Sequence, residues 1–510
     1  MRRQATRLGR IVFGLFGVAS LALAGVAHAQ NPGDEKPVVA PAREVPPGEE
    51  VFPEAAPPPP SGSGFGQQTR YFVSGIEVHG NRRTETNLIL GELGIALGDV
   101  LTPDDVRVPQ AELRLRSLGY FVRVQLRVER FPGRRGEVML IVDVEERGTL
   151  VLNALYLGTS EATKLWGGLD VSETNLFGRG ITVGAGAVAS TQPKVEDAVA
   201  GRAVTFRAAG PARRGGLLLA GNVLYARGSE FYQARGNEDV ATPANWQAIR
   251  YHRIGGSLSV GGDLSRTARI YAEGRYESIS ADLPDVRSRD LDGMGARPIQ
   301  FDIHEGDSRL GALTATLDLD TRSDPVMPAR GRRVVVALEA SLPLFGSSYS
   351  YTKGVAQGSF YWPTGRGHVV ALHGFAGAIL GQAPFFSKFF VGDLNFLLPP
   401  RALGLNFSTL PSRNVFGNDI SKKRYESFAA RLLGEYAIPL WRGGGFAYRG
   451  EFFAAFGTFG LADLEDLRAR DEGLGQALPI DLTADIGLRL DTQIGIFTLS
   501  IANALGRLPF

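Results

Sequence analysis

The chain has 510 residues with 65 glycines, 29 prolines and no cysteine, and 55 Lys+Arg against 53 Asp+Glu leave a net charge of +2. The missing cysteine excludes disulfide scaffolds, thiolate metal sites and cysteine nucleophiles, and the even charge balance carries no nucleic-acid footprint. Glycine at about 13%, against a usual 7% or so, stands beside an ordinary hydrophobic content, so a core is affordable but its facing is open.

Residues 1–29 read as a secretory signal. Arg2, Arg3, Arg7 and Arg10 precede the apolar run Ile11 to Val26, and Ala27-His28-Ala29 supplies a small-x-small cleavage pattern. The run is short and rich in small residues, so a spanning helix is the weaker reading. Residues 30–68 hold ten of the 29 prolines, including Pro57-Pro58-Pro59-Pro60, and are expected to be an extended, disordered spacer.

A small α/β module is expected at 70–147. Tyr71 to Val78 reads as a strand ending in a turn at Gly80, and Glu85 to Leu93 as a short helix before Gly94 and Gly98. Thr102-Pro103-Asp104-Asp105 has the chemistry of a helix start, with a helix to Leu118 that Pro109 should kink or shorten. Val122, Val124, Leu126 and Val128 alternate with polar residues, and Val138, Leu140, Val142 and Val144 repeat at the same period. The order is β-α-α-β-β. The landmarks at Val73 to Arg82, Gly98-Asp99-x-Leu101-Thr102, Leu118-Gly119-Tyr120-Phe121 and Val142-x-Val144-Glu145-Glu146 resemble a POTRA domain. That resemblance marks Gly80, Gly98, Gly119, Tyr120 and Phe121 as motif positions. It implies a periplasmic module whose sheet edge receives client chains by strand addition.

Residues 148–510 show no helix-period segment of domain size. Runs of about ten residues alternate weakly between glycine- and proline-bearing breaks. Ala268, Ile270, Ala272, Gly274 and Tyr276 share one face of such a run, and Arg269, Tyr271, Glu273, Arg275 and Glu277 the other. Apolar outside and polar inside at this spacing is the pattern of an antiparallel transmembrane β-barrel. Fifteen segments can be marked between 149 and 505. Because bacterial single-chain barrels have even counts, 16 strands are expected, or 14 if 149–159 is linker. Long connections fall at 283–307, 381–423 and 460–481.

Further motifs extend the resemblance. Glu173-x-Asn175-Leu176-Phe177-Gly178-Arg179-Gly180, Asp320-Thr321-Arg322-x-Asp324 with Pro328 and Gly331, and Leu433-Gly434-Glu435-Tyr436-x-Ile438-Pro439-Leu440 are similar to barrel motifs that accompany POTRA domains. Residues 71–510 together resemble the BamA/TamA superfamily of outer-membrane assembly and translocation proteins, also called bacterial surface antigens. The resemblance implies a chain in outer-membrane lipid that handles client polypeptides, with periplasmic accessory proteins as further partners. It implies no cofactor, no metal, no nucleic acid and no small-molecule substrate. A passive pore, or a secretion pore for one partner protein, is the alternative.

In that superfamily an arginine of the sixth extracellular loop locks into the lumen against acidic strand residues. Arg401 matches it, but Ala402 and Leu403 replace the following Gly and aromatic. Period-two phasing puts Glu435, Glu451 and Asp485 on the polar faces of late strands as candidate partners, and Ala455 stands where a further acid would fall. Phe510 supplies a terminal aromatic, the insertion signal expected of exported barrels. His368 and His373 are five apart on one strand and face opposite sides, and no Walker loop, zinc signature or nucleophile elbow occurs, so no catalytic residue is assigned.

Overall fold

The structure, a computed structural model, describes residues 70–507 apart from 131–133, 135, 161, 212–216, 234–242, 266, 291–295, 391–402, 408–424, 444, 465–466, 468–477 and 479. The signal and spacer at 1–68, Arg401 and Phe510 lie outside the described residues.

The N-terminal module runs β1 (Tyr71–His79), α1 (Thr86–Leu93), β2 (Val100–Leu101), α2 (Arg107–Ser117), β3 (Phe121–Arg130) and β4 (Glu137–Glu146). Its sheet has the order β2-β1-β4-β3, with β1 and β4 parallel and the other pairs antiparallel. The two-residue β2 is an addition to the expected β-α-α-β-β order. Period-two alternation turns Val124, Leu140 and Val142 inward, where they meet Ile89 and Leu93 of α1 and Leu115 of α2 in one buried cluster. The second helix begins at Arg107, later than the Thr-Pro-Asp-Asp signal suggested. The Asp105 carboxylate accepts the Arg107 backbone N–H at 2.9 Å, so the 102–105 segment makes a turn ahead of the helix. Pro109 thereby falls in the first helical turn, where a missing N–H breaks no intrahelical bond, and no kink results.

The second unit is a meander of fifteen antiparallel strands. In chain order these are β5 (Leu150–Gly158), β6 (Trp166–Leu176), β7 (Ile181–Ser190), β8 (Arg202–Pro211), β9 (Leu217–Gln233), β10 (Trp246–Ser265) and β11 (Ala268–Asp282). A small hairpin, β12 (Ser288–Asp290) and β13 (Ala296–Pro298), stands in the next connection. The wall continues as β14 (Gly306–Asp320), β15 (Gly331–Ser341), β16 (Ser350–Pro363), β17 (Val369–Gln382), β18 (Phe428–Arg442), β19 (Ala447–Ala462), β20 (Ile480–Thr492) and β21 (Gly495–Arg507). Each strand pairs with its sequence neighbour in the sheet, so registers are set by short turns at the end that carries the N-terminal module. The long connections lie at the other end.

The count of fifteen corrects the even number. The segment at 149–159 is a strand, which removes the fourteen-strand option, and a sixteenth strand is not seen among the described residues. An odd meander sends β5 and β21 in the same direction. They share no ladder; one backbone bond, from Leu152 N to the Ile494 carbonyl at 2.9 Å, joins β5 to the turn before β21. The barrel is nearly closed.

Outward residues such as Ile254, Leu258, Leu313, Leu338, Leu432 and Ile501 are large, apolar and exposed. An outward apolar face of this kind on an antiparallel barrel suits contact with lipid. No helix among the described residues is long and apolar enough to cross a membrane. Inward faces are charged near the module. At the far end they turn apolar, where Ile249, Tyr251, Ile279, Leu310, Phe385 and Phe459 join one buried cluster.

Candidate functional site

Two motifs read separately in the sequence meet at the junction of module and barrel. The turn between β6 and β7 takes left-handed backbone at Phe177, Gly178 and Gly180, and Asn175 ties it together by accepting the Gly180 N–H at 2.8 Å. The other end of the Asn175 amide donates to Thr84 Oγ1 of the module at 2.9 Å, with Asn175 only 4% exposed. Glu85 N–H bonds the Gly178 carbonyl at 2.9 Å, and Arg179 pairs with Glu85 at 2.7 Å. A Cβ at Gly178 would collide with the Arg83 carbonyl, so the close approach and the positive φ both demand glycine there. The loop that receives this turn is itself held by Glu146, whose carboxylate accepts the backbone N–H groups of Arg82, Arg83 and Thr84 at 3.1, 3.0 and 2.7 Å. Tyr120 is buried with its hydroxyl end towards Gly180, and burial pushes its phenol up to about 12. Phe121 packs edge-on against Tyr120, with centroids 6.4 Å apart. The remaining motif glycines serve turns: Gly80 after β1, Gly98 before β2 and Gly119 after α2 all have positive φ.

Below this junction a chain of charges crosses the barrel floor. Arg147, in the linker between β4 and β5, reaches Asp491 at the end of β20 at 2.5 Å, and the pair is nearly buried, 7% and 4% exposed. Asp491 also accepts from Arg449 Nε at 3.0 Å, and Arg449 Nη2 reaches Asp324 at 2.8 Å. Asp324 sits in the turn between β14 and β15 and caps it by accepting the Val326 N–H at 2.7 Å. The sequence-marked Asp320 and Arg322 pair with each other in the same turn at 2.7 Å, and Gly331 at its far end has a φ of +97°. The Asp320 to Gly331 motif therefore folds a turn that strand β19 can hold from across the floor.

Two further clusters stiffen the wall. Arg207 on β8 grips Asp170 on β6 in a bidentate pair, one bond being 2.6 Å, across the strand between them. The pair can span because β7 presents Gly184 and Gly186 there: Cβ atoms at these positions would lie 2.9 Å from Arg207 Nε and 2.8 Å from Asp170 Oδ2. On the other side, Arg489 of β20 leans over the Phe453 ring to bond Glu435 at 3.0 and 3.1 Å and also bonds Glu451. Glu435 and Glu451, expected as partners of the loop arginine, are thus held by Arg489 of the wall. Asp485 lies on the same row, opposite Ala455 of β19. Arg401 lies outside the described residues.

In the far half of the lumen, described parts of the connection between β17 and β18 pack into the buried cluster. Phe385 meets Tyr251 edge-on at 5.2 Å, Phe386 lies under the Arg253 guanidinium at 3.7 Å, and Phe389 pairs backbone bonds with Glu426. A second stretch, Leu403 to Phe407, docks on the adjoining wall from β6 to β9. Phe407 stacks on Trp166 of β6 at 5.2 Å, with planes 18° apart, and its carbonyl takes the Ser160 hydroxyl at 3.1 Å. These knobs enter hollows left by glycine: Leu403 at Gly186, Leu405 at Gly228 and Phe407 at Gly201. A Cβ at Gly228 would stand 2.9 Å from Leu405, and one at Gly201 would overlap Phe407. The expectation of a polar inside therefore holds for the half near the module, while apolar side chains pack together in the other. Arg147, Arg449, Asp491, Arg489, Leu405 and Phe407 carry no motif that marks them in the sequence.

Residues 175–507 match the family profile described as the Omp85 superfamily domain, and residues 71–147 match POTRA, described as the surface antigen variable number repeat. The chain is similar to the outer membrane protein assembly factor BamA of Nitratidesulfovibrio vulgaris (strain Hildenborough), 25% identical over 338 residues, which is 64% of this chain and 38% of that protein. The chain thus spans well under half the length of that curated relative. Among solved structures, CdiB from Escherichia coli is similar with a TM-score of 0.50 and 10% identity, covering 88% of this chain and 89% of that one. BamA from Haemophilus ducreyi lacking POTRA domains 1-3 gives a TM-score of 0.47 and 17% identity over 86% of this chain and 82% of that one.

Proposed function

The chain belongs to the Omp85 superfamily, and on that premise we propose that it inserts or translocates client polypeptides at the bacterial outer membrane. The POTRA module receives an extended client by strand addition and the barrel seam passes it to the membrane. One observation carries the reading. Strands β5 and β21 are the two ends of the sheet order and share no ladder among the described residues, and the Leu152–Ile494 bond and the Arg147–Asp491 pair tie them at the module end. An unpaired backbone edge within a bilayer is costly, so a client strand that pairs with it is stabilised there. The rigid Asn175–Thr84 junction would present the module to that seam at a fixed angle.

The rival reading, a passive pore, would need an open lumen, and the plug formed by Phe385, Phe389, Leu405 and Phe407 works against it. The test is assembly of urea-unfolded outer-membrane barrel substrates into liposomes that contain the purified protein. Faster insertion than into empty liposomes is expected, with little ion conductance. Conductance without acceleration would replace this reading by the pore.

A further inference from the structure

In the order β2-β1-β4-β3, strand β3 has one neighbour and turns its other edge outward. Alternate residues of such an edge point N–H and C=O away from the sheet, ready for another strand. In mid-strand, two of those groups are taken. Glu112 Oε1 accepts the Leu126 N–H at 2.8 Å, and Arg116 Nη2 donates to the Val124 carbonyl at 2.8 Å. Both side chains come from α2, one turn apart, and they meet each other at 3.4 Å.

The bonding pattern is informative. In a parallel ladder a single residue of the added strand donates to the carbonyl before its opposite number and accepts from the N–H after it. Here the opposite number is Gln125, and the Arg116 guanidinium and the Glu112 carboxylate stand where the N–H and C=O of an incoming residue would be. Beyond them the edge changes character: Val128 is exposed, although it shares a face with the buried Val124 and Leu126.

We propose that Glu112 and Arg116 form a displaceable clasp on this edge. An extended client segment engages first beside Val128 and must open the clasp to continue its pairing to Val124. The inference rests on the strand-addition reading above and adds to it a gate that disfavours segments too short or too poorly paired to displace two side chains. The clasp is weak enough to open: the pair is 27% and 44% exposed, and ion pairs at such positions contribute little. A client strand offers the same two backbone bonds and also covers Val128.

The test uses the full chain in detergent micelles and a fluorescent peptide with the sequence of residues 495–507, a barrel strand of known composition, read by anisotropy. Wild-type protein should bind it saturably. The double variant Glu112→Ala/Arg116→Ala should bind about five-fold more tightly, and Glu112→Gln, whose amide oxygen still accepts from Leu126, should keep wild-type affinity. Arg116→Ala alone, with a smaller gain, guards against a double variant that does not fold. Equal or weaker binding by the alanine variants overturns the clasp while leaving strand addition standing. No saturable binding by any of the proteins overturns strand addition, and the clasp with it.

Discussion

Arg147 and Asp491 are 344 positions apart in the chain and 2.5 Å apart in space, joining the linker that leaves the POTRA module to the hairpin that closes the barrel. The bond crosses the seam at its module end, where Arg147 also donates to the Thr492 carbonyl at 3.3 Å and lies over the Tyr448 ring. The seam is pinned at this end.

The two residues of the pair should not be equivalent. Removing one partner of a buried pair costs about 3–5 kcal/mol when the other is left with nothing. After Arg147→Ala, Asp491 keeps Arg449 at 3.0 Å, so a smaller loss of about 1–3 kcal/mol is expected. After Asp491→Asn, the buried Arg147 loses its counter-charge and Arg449 loses one of two. Heat-modifiable gel migration should show a lower unfolding temperature for Asp491→Asn than for Arg147→Ala. Hydrogen exchange in 150–158 should rise in both variants. The opposite ranking would mean that Arg147 has a stronger partner than Asp491.

The Gly184 and Gly186 saddle is open to a double-mutant cycle. Alanine at Gly184 would crowd Arg207 and alanine at Gly186 would crowd Asp170, whose carboxylate also takes the Asn153 amide at 2.8 Å. Because the crowded atoms are side-chain ends, the pair can shift at a cost of about 1–2 kcal/mol without breaking the strand. Gly184→Ala should therefore destabilise the barrel in the wild-type background and have almost no effect once Arg207→Ala has removed the guanidinium. An equal penalty in both backgrounds would place the strain in the β7 backbone.

Much of this was legible because strand alternation and turn chemistry are local. All fifteen wall segments stand near their expected positions, and the Asn175 to Gly180 motif was visible as a unit. Its partner Thr84 was not, since alternation tells which face a residue uses and says nothing of what another unit brings against it. The same blindness hid Arg489 behind Glu435 and Glu451. The replacement of Gly and aromatic by Ala402 and Leu403 reads in sequence as a damaged lock. Leu405 and Phe407, which do the docking in the described part of the loop, look like ordinary loop residues until Gly201 and Gly228 are seen beneath them. The late start of α2 has a similar origin: Asp105 prefers the N–H and guanidinium of Arg107, a competition that a capping pattern does not reveal.

That Asp105–Arg107 contact predicts a pH dependence. The guanidinium holds the Asp105 carboxyl down at about 2, against about 3.9 for an unfolded chain. With the folded value depressed, the stabilisation is complete above about pH 4 and is lost as pH falls through about 2. Its size is about 1 kcal/mol once solvent screening of a pair at the surface is allowed for. Asp105→Asn should raise hydrogen exchange of 107–117 relative to wild type at pH 6, and the difference should vanish by about pH 2. A difference that persists unchanged to pH 2 would assign the effect to shape alone.

The apolar plug yields the sharpest coupling. Phe407 fills the hollow at Gly201 and stacks on Trp166, so Phe407→Ala should lose about 3 kcal/mol of docking and loosen the loop. Gly201→Val attacks the same contact from the wall, because its side chain would occupy the space of the Phe407 ring. Each single variant should raise ion conductance in planar bilayers and lengthen the Trp166 fluorescence response to added quencher access. The double variant is the discriminating case. Valine at 201 fills part of the volume that alanine at 407 vacates, so conductance should fall back towards wild type instead of rising further. Additive increases would show that the two residues act on separate parts of the loop, and unchanged conductance in both single variants would show that the seal lies elsewhere in the connection between β17 and β18.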